Sequence, residues 1–217
     1  MKKRPVVGAL IGLLAGTVLG AQDGPSPKQL AQERAQAERE VPRLVEVLEV
    51  EPGITVADVG AGFGAMTVVL AKWLQPAGRV FATDIAAPQL AMIRDKVTQE
   101  GLTNVMVLEG AEASTNLPAG CCDAIFMRDV YHHLTQPEAF NASLGAALKP
   151  GGRLAVIDFV PQAGSKLFPG VNPNRGGHGI FPPLVVSEVS AAGFTYVRTI
   201  DPWPDKETGL FLVLLRK

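Results

Sequence analysis

The segment 56–64 constrains the fold more than any other part of the chain. Its first residues, Val56–Val59, form a short apolar run typical of a buried strand, and glycines occupy alternate positions from Gly60 to Gly64. Apolar residues then recur at helical spacing over 65–74. In a doubly wound α/β domain, a nucleoside-containing ligand binds where a strand ends in such a turn and opens a helix. Glycines there let the backbone approach the ligand closely.

Alternating strand and helix patterns continue beyond this turn and predict a mostly parallel sheet with helices on both faces. The final two strands follow each other without a helix, so we expect an antiparallel pair at one sheet edge. A helical stripe also precedes the turn, and Pro42 is expected to break or kink it into two helices. The predicted strands are 55–60, 79–84, 105–109, 123–128, 153–159, 194–200 and 210–216, and the helices are 64–74, 88–98, 137–148 and 183–192.

Charge and composition narrow the possible partners. The chain has 217 residues, 47% of them hydrophobic, which suits one substantial core. Its 20 basic and 21 acidic side chains are balanced, and they form no basic cluster inside the folded part. We therefore expect no nucleic-acid partner. The division we predict is a helical segment over 22–50 and one domain over 51–217.

The first 21 residues differ from the rest. Lys2, Lys3 and Arg4 precede the uncharged run 5–21, which ends in small residues, as in an export signal cut after Gly20 or Ala21. An uncleaved anchor is the alternative, because glycines recur every four residues and offer a helix-packing face. Either would place the domain outside the cytoplasm, with membrane contact only through 5–21. A cytoplasmic extension is the third alternative.

Elimination narrows the ligand class. The turn also satisfies the looser dinucleotide pattern, so by itself it does not separate a dinucleotide from another adenosine ligand. The chain lacks a P-loop motif, and Thr135, not lysine, stands four residues after Tyr131, unlike many short-chain dehydrogenases. Asp84 ends the second strand, where a carboxylate can accept both ribose hydroxyls of either ligand.

The order of motifs resembles that of the class I S-adenosylmethionine (SAM) dependent methyltransferases, in particular the small-molecule type 11/25-like members. The matching pieces are 58–64, 80–84, 109–112 with 117–118, 123–134 and 148–153. The resemblance implies a Rossmann-like three-layer sandwich. It further implies a seven-stranded, mostly parallel sheet of order 3-2-1-4-5-7-6 with strand 7 antiparallel.

The same resemblance implies which residues bind SAM. Asp58 and the Gly60 backbone would hold the amino group, and the helix start near Gly64 would face the carboxylate. Asp84 would bind the ribose, with Ile85 against the adenine. At the adenine's polar edge we expect the Ala111 backbone and Glu112, although many relatives have Asp directly after Gly110. The remaining cofactor-binding candidates are Ala61, Gly62 and Arg128.

Each acidic candidate also has a purely structural interpretation. Asp58 would orient the turn, Asp84 would cap the following helix through Asx-type bonding, and Glu112 would be a solvated acid.

Candidates for the methyl-acceptor side follow the fourth strand and lie in the long loop 161–183. They are Asp129, Tyr131, His132, His133 and His178, and the last of these lies in a segment that would close as a lid. A catalytic base is needed only when the nucleophile is protonated at the working pH. The alternative is that these histidines pack against the following helix or stay exposed in the loop.

Cysteine and histidine spacing predicts no metal site and no disulfide, because Cys121 and Cys122 are adjacent and lack further ligands at suitable spacing. We interpret the chain as a SAM-dependent methyltransferase that acts on a small-molecule acceptor by in-line displacement. An exported, non-catalytic protein that binds SAM or another adenosine ligand is the alternative.

Overall fold

The computed structural model describes residues 24–162, 164, 166 and 169–217. Within these residues strands and helices alternate from the first strand to the last helix, except that the third and fourth strands follow each other without a helix, as the sequence pattern predicts. The helices are α1 (Pro27–Val47), α2 (Ala65–Leu74), α3 (Ala87–Gln99), α4 (Pro137–Ala147) and α5 (Pro182–Ala191). The strands are β1 (Thr55–Val59), β2 (Arg79–Asp84), β3 (Val105–Glu109), β4 (Cys122–Arg128), β5 (Leu148–Phe159), β6 (Thr195–Trp203) and β7 (Leu210–Arg216).

The strands form one seven-stranded sheet of order β3-β2-β1-β4-β5-β7-β6. β1 to β5 pair in parallel, whereas β7 runs antiparallel to both β5 and β6. The predicted fold class, strand order and terminal antiparallel pair are therefore confirmed. Because β1 lies between β2 and β4, the chain turns to opposite sides of β1, and this reversal opens a crevice at the carboxyl ends.

Alternate residues of the central strands face the two helical layers, since a strand has a period of two. Val56 of β1 belongs to an apolar cluster with α1 and α2, and Ala57 belongs to a cluster with α4 and α5. The same alternation places Asp58 and Arg128 on the α1 side. Asp158 of β5 falls on the opposite side, that of α4 and α5. The sheet therefore decides which helical layer each functional side chain faces.

The helix α1 is continuous, so the prediction that Pro42 divides it into two helices is wrong. Ser26 caps its start by accepting a hydrogen bond from the Gln29 N–H at 3.2 Å, and Pro42 lies inside the helix. The apolar stripe of α1 is buried against the core, at Ala37, Val41, Leu44 and Val45. This burial stabilises the helix by more than the loss of one backbone hydrogen bond costs.

The segment for which we predict a signal or anchor, 1–21, lies outside the described residues. Among the residues that the structure does describe, no helix combines the length and the apolar character needed to cross a membrane.

Candidate functional site

Two adjoining cavities open at the carboxyl ends of β1, β2 and β4. One measures about 390 Å³ and lies towards α1, and the other measures about 600 Å³ and extends from the end of β2 towards the start of α4. They share a wall made of Gly60, Gly62, Asp129 and Val130. The two cavities together occupy the crevice that the strand order predicts. The glycine turn lies between them.

The glycine turn is held in the left-handed backbone region. Gly60 has φ of 76°, and a Cβ built there would lie 2.4 Å from Val130 Cγ2. The N–H groups of Gly60 and Ala61 both donate to the Thr83 carbonyl, at 2.8 and 2.9 Å. At Gly62 (φ 53°) a Cβ would meet nothing within 4 Å, so the backbone faces open space. A ligand can therefore approach the main chain at Gly62 directly.

Asp84 joins this turn to the end of β2. Its Oδ2 accepts the Gly62 N–H at 2.9 Å, and its Oδ1 accepts the Ala86 N–H at 3.0 Å. The Asx-type hydrogen bond of the purely structural interpretation is therefore present. Asp84 also lines the larger cavity, as its predicted binding role requires. Ile85 is 62% exposed beside it, an unusual position for a large apolar side chain. An exposed apolar platform next to a carboxylate suits a nucleoside, with its base on Ile85 and its ribose on Asp84.

The third motif, 109–112, continues into a tight turn that uses the Ala111 N–H within the chain. Ala111 and Ser114 form an isolated bridge in which the Ala111 N–H donates to the Ser114 carbonyl at 2.8 Å. That N–H is therefore engaged within the chain, and the contact of the Ala111 backbone with the adenine edge stays a prediction. Both Ala111 and Glu112 nevertheless line the larger cavity, with Glu112 exposed.

Asp58 is 2% exposed and points towards α2, where the Thr67 hydroxyl donates to its Oδ2 at 2.6 Å. Burial raises the pKa of its carboxyl to about 7. A buried carboxylate at the wall of the smaller cavity favours a cationic ligand group, which would restore the charged form.

Arg128 lines the same cavity and is held from behind by α1. Its Nε donates to Glu40 Oε2 at 2.9 Å, and the other Glu40 oxygen accepts the Trp203 indole N–H at 2.8 Å. Glu40 is fully buried, so this bridge fixes α1 to β4 and β6. Trp203 thus packs in the core, away from both cavities.

Gly64 serves the packing of the turn. It takes φ of 76° at the N-cap of α2, and a Cβ there would lie 3.0 Å from the Ile93 side chain. The first helical residues, Ala65 and Met66, line the smaller cavity, so the positive end of α2 faces that compartment.

The far part of the larger cavity is mostly apolar and lies beyond Val130. Its walls there are His133, Leu134, Thr135, Phe140 and Pro169. Burial lowers the pKa of His133 to about 4, and the neighbouring His132 contributes in the same direction. His133 is therefore neutral at pH 7.

Asp129 stands at the junction of the two compartments. It adopts φ of 60°, which is uncommon for a residue with a side chain, and its N–H donates to the Ile157 carbonyl at 2.9 Å. The surrounding protein raises the pKa of its carboxyl, and the nearby Asp158 adds to the rise. Backbone strain of this kind clusters at functional sites.

Tyr131 does not reach either cavity, so its prediction as an acceptor-side residue is wrong. Its side chain is fully buried in the cluster with α4 and α5, and its hydroxyl oxygen accepts the Asn141 amide N–H at 2.7 Å. Burial also raises the pKa of the phenol, which further disfavours a role in proton transfer.

His132 is buried beside Asp158, in an arrangement that the chain order does not show. Its Nδ1 lies 2.9 Å from Asp158 Oδ1, and its backbone N–H donates to Asp158 Oδ2 at 3.2 Å. His178 reaches the same place from the long loop, with its ring centroid 4.9 Å from that of His132. The fold therefore gathers all three histidines of the chain.

The described part of the loop that carries His178 is fastened to the site through Arg175, and its closure as a lid stays a prediction. Arg175 is buried and donates to the Leu134 carbonyl at 2.7 Å and to the Tyr131 carbonyl at 3.3 Å. It also forms an ion pair with Glu188 of α5 at 2.8 Å. These bonds fix the described loop residues around His178 to the short helical turn Tyr131–His133, called the histidine turn below.

Comparison with known proteins agrees with this geometry. Residues 57–156 match the family model of a methyltransferase domain. The structure superimposes on that of a SAM-dependent methyltransferase from Aquifex aeolicus with a TM-score of 0.70 and 26% identity, covering 88% of this chain and 98% of the other. Residues 57–156 therefore form a methyltransferase domain, and the chain has the fold of a SAM-dependent methyltransferase.

Curated proteins that resemble the chain include two biosynthetic enzymes. The ubiquinone/menaquinone biosynthesis C-methyltransferase UbiE of Burkholderia cenocepacia is 33% identical over 110 residues, which are 51% of this chain and 45% of the relative. The nocamycin O-methyltransferase of Saccharothrix syringae is 28% identical over 182 residues, covering 73% and 65%. The chain thus spans about half the length of the first relative and about two thirds of the second.

SAM is the cofactor of this family, and the residues present fit its groups. The open backbone at Gly62, the Asp84 carboxylate and the Ile85 platform suit the adenosine, as described above. The smaller cavity offers the buried Asp58 to the methionine ammonium, and Arg128 with the start of α2 to its carboxylate.

Three supporting residues were missed by the sequence reasoning: Glu40, Asp158 and Arg175. Glu40 lies within the apolar stripe of α1, and a lone acid on such a face is a usable signal. Asp158 similarly interrupts the apolar run of β5, whereas Arg175 carries no comparable mark in its loop.

Proposed function

We propose that the chain transfers the methyl group of SAM to a small-molecule acceptor bound in the far part of the larger cavity. The arrangement of the compartments carries this proposal. The cofactor groups lie on one side of Asp129 and Val130, and an apolar compartment with one neutral histidine lies on the other. The junction is where an activated methyl group and its acceptor would meet.

SAM supplies a methyl group on a positive sulfonium, so the acceptor's lone pair forms the new bond to carbon while the carbon–sulfur bond breaks and leaves its electrons on sulfur. The protein chiefly positions the two partners, a contribution of about 7–11 kcal/mol when the alignment is good. Asp129 is the carboxylate on the shared wall and takes the proton that a hydroxyl or carbon acid loses. Its raised pKa makes it a better base than a carboxylate with the ordinary pKa.

The names of the relatives support both oxygen and carbon acceptors, since one is an O-methyltransferase and the other a C-methyltransferase. His133 favours an acceptor with a hydroxyl, because a neutral imidazole on an apolar wall offers one hydrogen bond to it. We therefore propose a hydroxylated, largely apolar acceptor such as a phenol or an enol.

Mass spectrometry tests the proposal. The full chain is incubated with SAM and a panel of phenols, catechols, quinols and enols, and S-adenosylhomocysteine and the methylated product are measured. We expect stoichiometric formation of both with at least one class, and loss of activity in Asp129→Asn. Binding of SAM without any product across the panel would favour the non-catalytic alternative.

We also propose that residues 1–21 act as an export signal or anchor, on their charge and hydropathy pattern alone. Cleavage predicts a mature N-terminus near Gln22. Intact-mass measurement of the protein from its membrane and soluble fractions distinguishes cleavage, anchoring and a retained cytoplasmic leader.

A further inference from the structure

The three histidines form a cluster that the sequence spacing did not predict. One ring nitrogen from each of His132, His133 and His178 lies within 4.8 Å of the others. The His132 and His133 rings have centroids 3.9 Å apart, and the centroids of His133 and His178 are 6.1 Å apart. The prediction of no metal site rested on distances along the chain, which do not show that the fold brings the loop to the turn.

We propose that these three histidines bind a divalent transition-metal ion such as Zn²⁺. Three imidazoles are a ligand set that zinc and its first-row neighbours accept, with a fourth position left for water or substrate. Tetrahedral zinc with nitrogens at about 2.0–2.1 Å needs them about 3.4 Å apart. The observed nitrogens lie within 4.8 Å of one another, so the metal would have to draw the most separated pair together by at most about 1.4 Å.

The surroundings of His132 supply an independent observation. Asp158, fully buried on β5, meets Nδ1 of His132, while Nε2 of the same ring is buried on the other side. Metal-binding histidines usually donate one ring N–H to a carboxylate, which fixes the tautomer and directs the other nitrogen at the metal. The Asp158–His132 pair matches this arrangement.

The backbone on both sides of His178 adopts conformations that favour glycine and that fix the position of this histidine. Gly176, Gly177 and Gly179 have φ of 109°, 121° and 103°. A Cβ at Gly179 would lie 2.8 Å from the Phe159 carbonyl oxygen. Together with the Arg175 bonds, these glycines hold the third ligand over the His132–His133 pair at the cost of conformational freedom.

The metal site deepens the proposed function and rests on it for its role. His133 lines the acceptor cavity, so an open metal position on its side would face the acceptor. An acceptor hydroxyl bound there would lose its proton more readily, because the cation stabilises the oxygen anion. The proton passes to Asp129, one of whose carboxylate oxygens lies within 4.8 Å of ligand atoms of His132 and Asp158. The acceptor class is accordingly one with an ionisable oxygen.

Zinc titration of the untagged protein tests the site. A cleaved tag is essential, because these are the three histidines of the whole chain and any histidine-dependent binding then reports on them. The full chain is stripped with a chelator, and ZnCl₂ is added in a calorimeter with metal content checked by mass spectrometry. We expect one Zn²⁺ per chain, with affinity reduced at least about 100-fold in His178→Ala and about 10-fold or more in Asp158→Asn.

A thiol control is available in the same chain. Cys121 and Cys122 lie at the opposite end of β4 from the histidine turn, so Cys121→Ser/Cys122→Ser should leave the zinc stoichiometry unchanged. The visible spectrum of Co²⁺ should show tetrahedral coordination in this variant and in the wild type, but not in His178→Ala.

SAM calorimetry on the same samples separates the two proposals. His178→Ala should keep the wild-type affinity for SAM, which also shows that the variant is folded. Absence of Zn²⁺ and Co²⁺ binding, or binding that survives His178→Ala, overturns the metal site even if SAM binds. Metal binding without SAM binding instead overturns the proposed function and leaves the site in place.

Discussion

Asp84 has two tasks at the residue scale, since it orders the glycine turn and offers its carboxylate to the ribose. We predict that Asp84→Ala weakens SAM binding more than tenfold, because charge-assisted hydrogen bonds of this kind are worth roughly 1.5–3 kcal/mol each. Calorimetry of the variant measures the change.

Glu109 offers a matched control for that variant. It stands beside Asp84 in the sheet register and is exposed, but it does not line either cavity. Glu109→Ala should therefore bind SAM as the wild type does. Equal affinities for wild type and Asp84→Ala would remove Asp84 from the site.

The raised pKa of Asp58 predicts that SAM binding depends on pH. Its pKa of about 7 means that the carboxyl is largely protonated at pH 6 and largely charged at pH 8. The SAM ammonium pairs with the charged form, so the affinity should fall about tenfold as the pH is lowered from 8 to 6.

Asp58→Asn tests this assignment, because the amide does not titrate. The variant should bind SAM weakly, with little change between pH 6 and pH 8. A wild-type affinity that is constant over this range would contradict the role given to Asp58.

At the scale of elements, Arg175 connects the long loop to the histidine turn and to α5. Replacing it with Met leaves two carbonyls and the Glu188 carboxylate without their donor, which should lower the free energy of unfolding by about 3 kcal/mol. Urea unfolding measures the loss.

The double variant Arg175→Met/Glu188→Gln should recover part of this stability, because position 188 then carries no unpaired charge. SAM affinity should change little in either variant, as Arg175 lies on the acceptor side. A loss below about 0.5 kcal/mol would show that the loop is held by other contacts.

The elements themselves were largely predictable from the sequence. The apolar run of β1, the glycines behind it and the alternation that follows are local patterns, and they were enough for the strand and helix order. Pro42 was misjudged because tertiary burial of the α1 stripe outweighs a local helix breaker. The boundary of β6 was also misplaced, since its pairing with β7 carries the strand through Pro202 to Trp203.

At the scale of the whole molecule, the cofactor side was predictable and the acceptor side was not. Asp58 and Asp84 lie at the ends of their strands and Gly60 directly follows one, so their position in the motif already fixes their place in the crevice. His178 and Arg175 come from a loop far along the chain, and the pairing of His132 with Asp158 depends on the neighbouring strand. Contacts of that kind arise from topology and leave little trace in residue spacing.

The whole site also distinguishes SAM from a dinucleotide, the two ligand classes that the glycine turn alone allowed. The strand order, the Ile85 platform and the small cavity beside Asp58 together suit SAM, whose methionine ends in an ammonium and a carboxylate. A dinucleotide would instead place a pyrophosphate at the turn.

Calorimetric titration of the full chain with SAM and with NAD⁺ tests whether the glycine turn binds SAM and not a dinucleotide. We expect one SAM bound per chain and no measurable binding of NAD⁺. Binding of NAD⁺ without SAM, or of neither ligand, would contradict it.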